Sequence, residues 1–302
     1  MTSIIEVCNL RKTYGETVAV DDISFEVSEG EIFGLLGPNG AGKTTTVEII
    51  QALRQPDSGT INVLGLDPRR DATALRRQIG SQLQESALPD RLRVWEALDL
   101  FASMTPHALD WQVLLEQWGL DEKRKASFGS LSGGQRQRLF IALSLVNNPR
   151  VVFLDEMTTG LDPAARRVAW DLIRSVRDRG TTVVLVTHFM DEAEKLCDRL
   201  AIVDKGNISA MDTPQGLITE YASEVRVIFS TEQADLAFLE ELQQVKRITR
   251  SGPRVEVEGS GAVLAVVAAR LAENGIVPAD LRLEQPTLED VFLKITGSTV
   301  ED

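Results

Sequence analysis

The chain has little of what several large protein classes depend on. Its 302 residues include two cysteines, Cys8 and Cys197, and two histidines, His107 and His188. Two thiols so far apart make no disulfide framework, and neither has the His/Cys neighbours of a metal site; both are expected to be reduced core or helix residues. No apolar run approaches the roughly 20 residues that cross a bilayer as a helix. The opening residues Met1 to Glu6 lack the basic and apolar regions of a secretory signal, so a cytoplasmic setting is expected. Positive charge is scarce too: 32 lysines and arginines stand against 45 aspartates and glutamates, a net charge of -13. That balance argues against nucleic acid as a partner held on a broad basic surface.

What the chain does have is concentrated in a few short stretches. Gly37, Pro38, Asn39, Gly40, Ala41, Gly42, Lys43, Thr44 and Thr45 fit the phosphate-loop pattern G-x-x-x-x-G-K-[ST]. Before it, Glu31 to Leu36 reads as a short apolar strand; after it, Lys43 to Leu53 has helical spacing, with Val47, Ile50 and Leu53 on one face. A strand, a glycine loop and a helix start aim several N–H groups and a positive dipole end at one anion. In such a loop Lys43 reaches the β- and γ-phosphates and Thr44 offers its hydroxyl to Mg²⁺.

Val151 to Leu154 is an apolar run ending in two acids, Asp155 and Glu156. Two carboxylates at the end of a buried parallel strand are costly unless they hold a metal or do chemistry. Leu131, Ser132, Gly133, Gly134 and Gln135 open a second helix, with Ser132 as N-cap and Leu139, Ala142, Leu143 and Val146 at helical spacing. Taken alone, that pentapeptide is a plain cap and turn.

Together these three stretches resemble the ATP-binding cassette of ABC transporters, over about Ile4 to Met211. The resemblance implies an α/β P-loop NTPase fold with a mixed sheet core, in a domain of residues 1–218 with a helical subdomain at about 85–148. ATP and Mg²⁺ are the implied ligands, with Thr44, Asp155 and Gln84 toward the metal. Glu156 takes the place of the catalytic base and His188, after the strand-like Thr182 to Thr187, that of the switch histidine. Tyr14 matches the aromatic that stacks on adenine. Gln84 matches the Q-loop glutamine, although Gln82 lies close by. Leu131 to Gln135 would bind the γ-phosphate of ATP held by a second, opposing cassette, and Asp162, in Gly160 to Pro163, matches the loop crossing that interface. A homodimer and a separate transmembrane permease are the implied partners. One departure stands out: Met157 follows Glu156 where the family usually has proline, and only a small change of geometry is expected.

Between Gln84 and Ser132 the pattern is helical, with Val94, Leu98, Phe101 and Ala102 on one face and Trp111, Leu114, Leu115 and Trp118 on another. Past Thr219 the text changes. Strand-like Val225 to Phe229, helical Asp235 to Leu242, strands at Val245 to Thr249 and Arg254 to Glu258, a helix at Ala262 to Glu273, a strand around Leu281 and Leu283, and a helix at Leu288 to Ile295 give β-α-β-β-α-β plus a helix. That order predicts a small ferredoxin-like α+β domain over 219–302, for dimerisation or regulation. The stretch Thr287 to Leu293 resembles the tails of exporter ATPases of the daunorubicin-resistance type. Export of a drug, lipid or polysaccharide is the favoured function on that resemblance; a soluble ABC ATPase in translation or DNA repair and a nucleotide-gated regulator stay open.

Overall fold

A computed structural model describes residues 2–82, 87–105, 108–222 and 224–297. The chain divides into two compact units, one of residues 1–214 and one of residues 215–299. Among the described residues no helix is long and apolar enough to cross a membrane.

The first unit begins with two long strands, β1 (Ser3–Tyr14) and β2 (Thr17–Ser28), followed by β3 (Ile32–Leu36), helix α1 (Lys43–Ile50) and β4 (Ser58–Val63). Then come α2 (Ala72–Arg76), β5 (Ile79–Gln82), α3 (Val94–Ser103), α4 (Trp111–Gln117) and α5 (Gly133–Leu145). The rest alternates: β6 (Val151–Asp155), α6 (Pro163–Asp178), β7 (Thr182–Thr187), α7 (Met190–Leu196), β8 (Arg199–Asp204) and β9 (Asn207–Asp212). An antiparallel sheet of order β2-β1-β4 faces a six-stranded sheet of order β5-β6-β7-β3-β8-β9, with one apolar cluster joining them. In the larger sheet β5, β6, β7, β3 and β8 run parallel, and only β9 runs the other way. Its inner strands β3, β6 and β7 are buried at every residue, which is why they read as unbroken apolar runs. Phe25 of β2 stacks on Phe33 of β3 at 5.2 Å, fastening one sheet to the other.

Local differences from the expected elements have simple causes. Helix α1 stops at Ile50 rather than Leu53 because Ala52 turns into the left-handed region, φ 60°. In α3, Val94, Ala97 and Leu98 are the buried residues, while Phe101 and Ala102 are only half-buried. Cys197 is buried, but Cys8 is exposed on β1, so the reading of both thiols as core or helix residues is corrected for Cys8: it falls on the outer side of an alternating strand.

The second unit opens with α8 (Pro214–Tyr221) and continues through β10 (Val225–Ser230), α9 (Ala237–Glu240), β11 (Val245–Ser251), β12 (Arg254–Gly259), α10 (Val263–Glu273), β13 (Arg282–Glu284) and α11 (Leu288–Thr296). Its sheet order is β11-β12-β10-β13 with every neighbour antiparallel. This is the split βαβ layout, in which each crossover skips one strand. Val227, Phe229, Val255 and Val257 alternate inward and pack with Val263, Val267 and Leu271 of α10. The helix expected from Asp235 is a single turn at Ala237–Glu240.

Candidate functional site

Three adjacent parallel strands, β6, β7 and β3, end side by side, and open α/β sheets bind ligands at such carboxyl ends. The phosphate loop leaves β3 and enters α1 at Gly42, whose φ of 101° is a conformation that side-chain-bearing residues resist. A Cβ on Gly42 would also lie 2.2 Å from the Ala19 carbonyl oxygen, and one on Gly37 2.2 Å from that of Val203. The loop is held from behind by the β8–β9 turn, where Gly206 N donates to Ala41 O at 3.0 Å. Lys43 folds back over the loop: Nζ donates to Gly37 O at 2.8 Å and to Pro38 O at 2.9 Å.

A cavity of about 370 Å³ opens above this loop, lined by Tyr14, Ala19, Asn39 to Thr45 and Glu156. Tyr14 thus shares one pocket with Lys43 and Thr44, and its ring lies 5.4 Å from Lys12 Nζ and 5.6 Å from the Arg54 guanidinium. Ala19 was not singled out from the sequence, and no motif marks it.

Asp155 and Glu156 close the other side. Burial pushes the Asp155 carboxyl up to about 6, helped by the neighbouring Glu156 charge and opposed by the nearby Thr44 hydroxyl and by Lys43. Burial lowers the Lys43 pKa, and the Glu156 and Asp155 charges raise it in part. Asp155 Oδ1 is buried with no hydrogen-bond partner. Glu156 lies just past β6 in the left-handed region, φ 47°, and its N–H donates to Val186 O of β7 at 2.9 Å. That turn brings its Oε1 to 3.1 Å from Nδ1 of His188, which follows β7. Met157, the next residue, is buried.

The remaining candidates fall elsewhere. Leu131 is buried beneath the start of α5. Ser132 N-caps that helix, its Oγ accepting from Gln135 N at 3.3 Å while Gln135 Oε1 accepts from Ser132 N at 3.0 Å. Ser132, Gly133 and Gly134 line a separate cavity of about 290 Å³ with Leu161 and Asp162. Asp162 itself caps α6, accepting from Ala164 N and Ala165 N, both at 2.9 Å. Gln84 and His107 lie outside the described residues. Gln82, the neighbouring glutamine, ends β5 beside Leu154 and is buried, its Oε1 unpartnered.

A family model described as ABC transporter matches residues 20–159. The chain is 40% identical over 307 residues to Nod factor export ATP-binding protein I of Paraburkholderia xenovorans (strain LB400), covering 99% of this chain and 98% of that protein. It is 38% identical over 304 residues to daunorubicin resistance ATP-binding protein DrrA3 of Streptomyces coeruleorubidus, covering 97% and 96%. Among solved structures, cbiO1 from Clostridium perfringens, part of the ABC transporter complex cbiONQ, superposes with TM-score 0.66 at 27% identity over 73% of this chain and 92% of its own. A dimeric ATP-binding cassette in a post-hydrolysis state, bound to ADP and Pi, gives TM-score 0.63 at 27% identity over 69% and 98%.

Proposed function

The chain belongs to the ABC transporter family of ATP-binding subunits, and from that premise we propose which residues hydrolyse ATP and what the hydrolysis drives. It is an ATP hydrolase of the exporter type: relatives matched along nearly their whole length are named for export and drug resistance, which favours this reading over a translation or DNA-repair ATPase. One observation carries the assignment of roles: Glu156, 3.1 Å from His188, lines the same cavity as Lys43 and Thr44.

In this reading the N–H groups of Gly40 to Thr45 and Lys43 wrap the phosphates, and Tyr14 forms a platform for the base. Lys43 must leave its two loop carbonyls to reach the γ-phosphate. Glu156 accepts a proton from the attacking water as the bond between the γ-phosphorus and its bridging oxygen breaks. His188 fixes the carboxylate of Glu156 so that one oxygen faces that water. The donor set fits Mg²⁺: the buried Asp155 Oδ1 has no hydrogen-bond partner, the Thr44 hydroxyl faces the same carboxyl, and both are hard oxygens. Gln84 is the third proposed ligand. Bound there, the ion would offset charge on the β- and γ-phosphate oxygens.

The wider reading is a pair of such cassettes, each offering Ser132 to Gln135 to its partner's ATP, with Asp162 at the shared face. The pair sits on the inner face of the cell membrane through a separate permease, whose cargo is a drug, lipid or polysaccharide carried outward. Support comes from the names of the two relatives and from the dimeric cassette among the matched structures. The 215–299 unit we assign to dimerisation or regulation, since it has the sheet but no phosphate loop.

The test pairs chemistry with partnership. Glu156→Gln should bind ATP normally yet hydrolyse it about 10²–10⁴-fold more slowly, the range for losing a general base. Turnover is measured in membranes where the chain co-purifies with its polytopic partner. Near-normal turnover in the variant removes Glu156 from the mechanism, and association with ribosomes or DNA instead of a membrane protein removes the export reading.

A further inference from the structure

Behind the Glu156–His188 pair sits a carboxyl that the mechanism above does not use. Glu192, on α7, is fully buried, and Trp170 Nε1 of α6 donates to its Oε1 at 3.3 Å. The hydroxyls of Thr187 and Thr158 also face this carboxyl and favour its charged form. Even so, Oε2 and Thr158 Oγ1 each complete no hydrogen bond of good geometry. Burial outweighs these contacts and raises the pKa, with the Asp191 charge adding to it.

What matters is where the contacts lead. Thr158 lies two residues after Glu156, and Thr187 immediately before His188. Trp170 stands on the helix that Asp162 caps. Thr187 Oγ1 is also the acceptor for Phe189 N at 3.0 Å, fixing the chain on the far side of His188. Next to this, Arg166 lies over the Phe189 ring at 4.4 Å and pairs with Asp191 at 3.5 Å, so the surrounding shell is charged but exposed in part. Glu192 does not line the nucleotide cavity. A buried carboxyl is costly wherever apolar packing would serve. Here it faces hydroxyls on both segments that carry the hydrolytic pair.

We propose that Glu192 is a positioning residue, which sets the 3.1 Å contact between Glu156 and His188 by bracing Thr158 and Thr187 from behind. The proposal rests on the reading of Glu156 as the base. Misplacement of a reacting group by about 1 Å costs on the order of 10²-fold in rate, so the brace acts on turnover rather than on nucleotide binding.

The experiment measures kcat and KM for MgATP on the full chain with its membrane partner. Glu192→Leu should lower kcat by about 10- to 100-fold while leaving KM within about twofold. Glu192→Gln, which keeps the shape and one acceptor oxygen for Trp170 Nε1, should recover most of that loss. Thr158→Val gives a readout that a merely structural role would not move. It removes the hydroxyl that faces Glu192 without leaving a buried carboxyl stripped of all its partners, so kcat should fall with only a small change in thermal stability. If Glu192→Leu does not fold, Thr158→Val decides alone: unchanged kcat overturns the proposal. Full kcat in Glu192→Leu also overturns it, provided Glu156→Gln is dead in the same assay. Should Glu156→Gln turn over normally, it is the reading of the base that fails.

Discussion

Helices α1 and α5 both begin in glycine, at Gly42 and at Gly133–Gly134, and both start at the lining of a cavity. The reasons for glycine differ. Gly42 is required by its own chain: its φ is positive and a Cβ would strike the Ala19 carbonyl. At Gly133 a Cβ meets nothing within 4 Å, and at Gly134 it makes ordinary contact with Ala165 Cβ at 3.5 Å, with no positive φ at either. The first site is completed from within, by a lysine bonded to its own loop and by the acids at the end of β6. The second has a cap and a helix dipole, but among the described residues none demands the missing side chains. Glycine there makes sense if something outside the chain approaches the backbone closely.

The largest effect expected from that contrast is in Gly134→Asp. A Cβ at this position makes only ordinary contact, and an acid in the first turn suits the helix dipole, so the monomer should keep its stability and its ATP affinity. In a closed pair the carboxylate would face the partner's γ-phosphate. Two charges roughly 4 Å apart repel by about 4 kcal/mol at an effective dielectric near 20. ATP-driven dimerisation and turnover should therefore fail together. Mixing this variant with Lys43→Ala rebuilds one intact site in each heterodimer, from the phosphate loop of one chain and the Ser132–Gln135 segment of the other. Single-turnover hydrolysis should return in the mixture. Full-rate hydrolysis by isolated Gly134→Asp monomers would break the contrast outright.

A smaller effect sharpens it from the other side. Gly42→Ala forces a side chain into the left-handed region and against a backbone oxygen, costing about 1–3 kcal/mol from conformation alone. Gly133→Ala meets neither obstacle and should stay within about 0.5 kcal/mol of the parent. Thermal unfolding of the two variants side by side measures this. Equal destabilisation would show that both helix starts are internal necessities.

The same contrast explains what could be seen in the residues before any coordinates. The phosphate loop was legible because each of its positions answers a local demand, and the strands around it because parallel strands buried on both faces leave continuous apolar runs. Asp155 and Glu156 stood out by their cost at the end of such a run. The Glu156–His188 contact was not legible, since it depends on β6 and β7 being neighbours and on a left-handed turn at Glu156. Ala19 and Glu192 were missed for a related reason: one is a small residue that only makes room, the other a surface-type residue in an ordinary helical pattern. The split βαβ order of the second unit followed from alternation alone, but the length of α9 did not, because one helical turn is too short to show a period.

Ser132→Ala carries the smallest expected change and tests whether the start of α5 has two functions or one. Within the chain, Ser132 Oγ accepts one helix N–H at 3.3 Å, a long bond on an exposed turn. The reciprocal bond, from Ser132 N to Gln135 Oε1 at 3.0 Å, uses only the backbone of residue 132 and survives the substitution. Half of the capping box therefore remains, and the fold should lose only about 0.5–1 kcal/mol, toward the low end for a lost cap. If capping is all the hydroxyl does, ATP-driven dimerisation measured by sedimentation should match the parent once the fold is intact. If the hydroxyl also donates to the partner's γ-phosphate, dimerisation should weaken while monomer ATP affinity stays level. An Oγ that only caps would leave Gly133 and Gly134 as the whole reason for this loop's chemistry, and the argument from missing side chains would then stand on the backbone N–H groups alone.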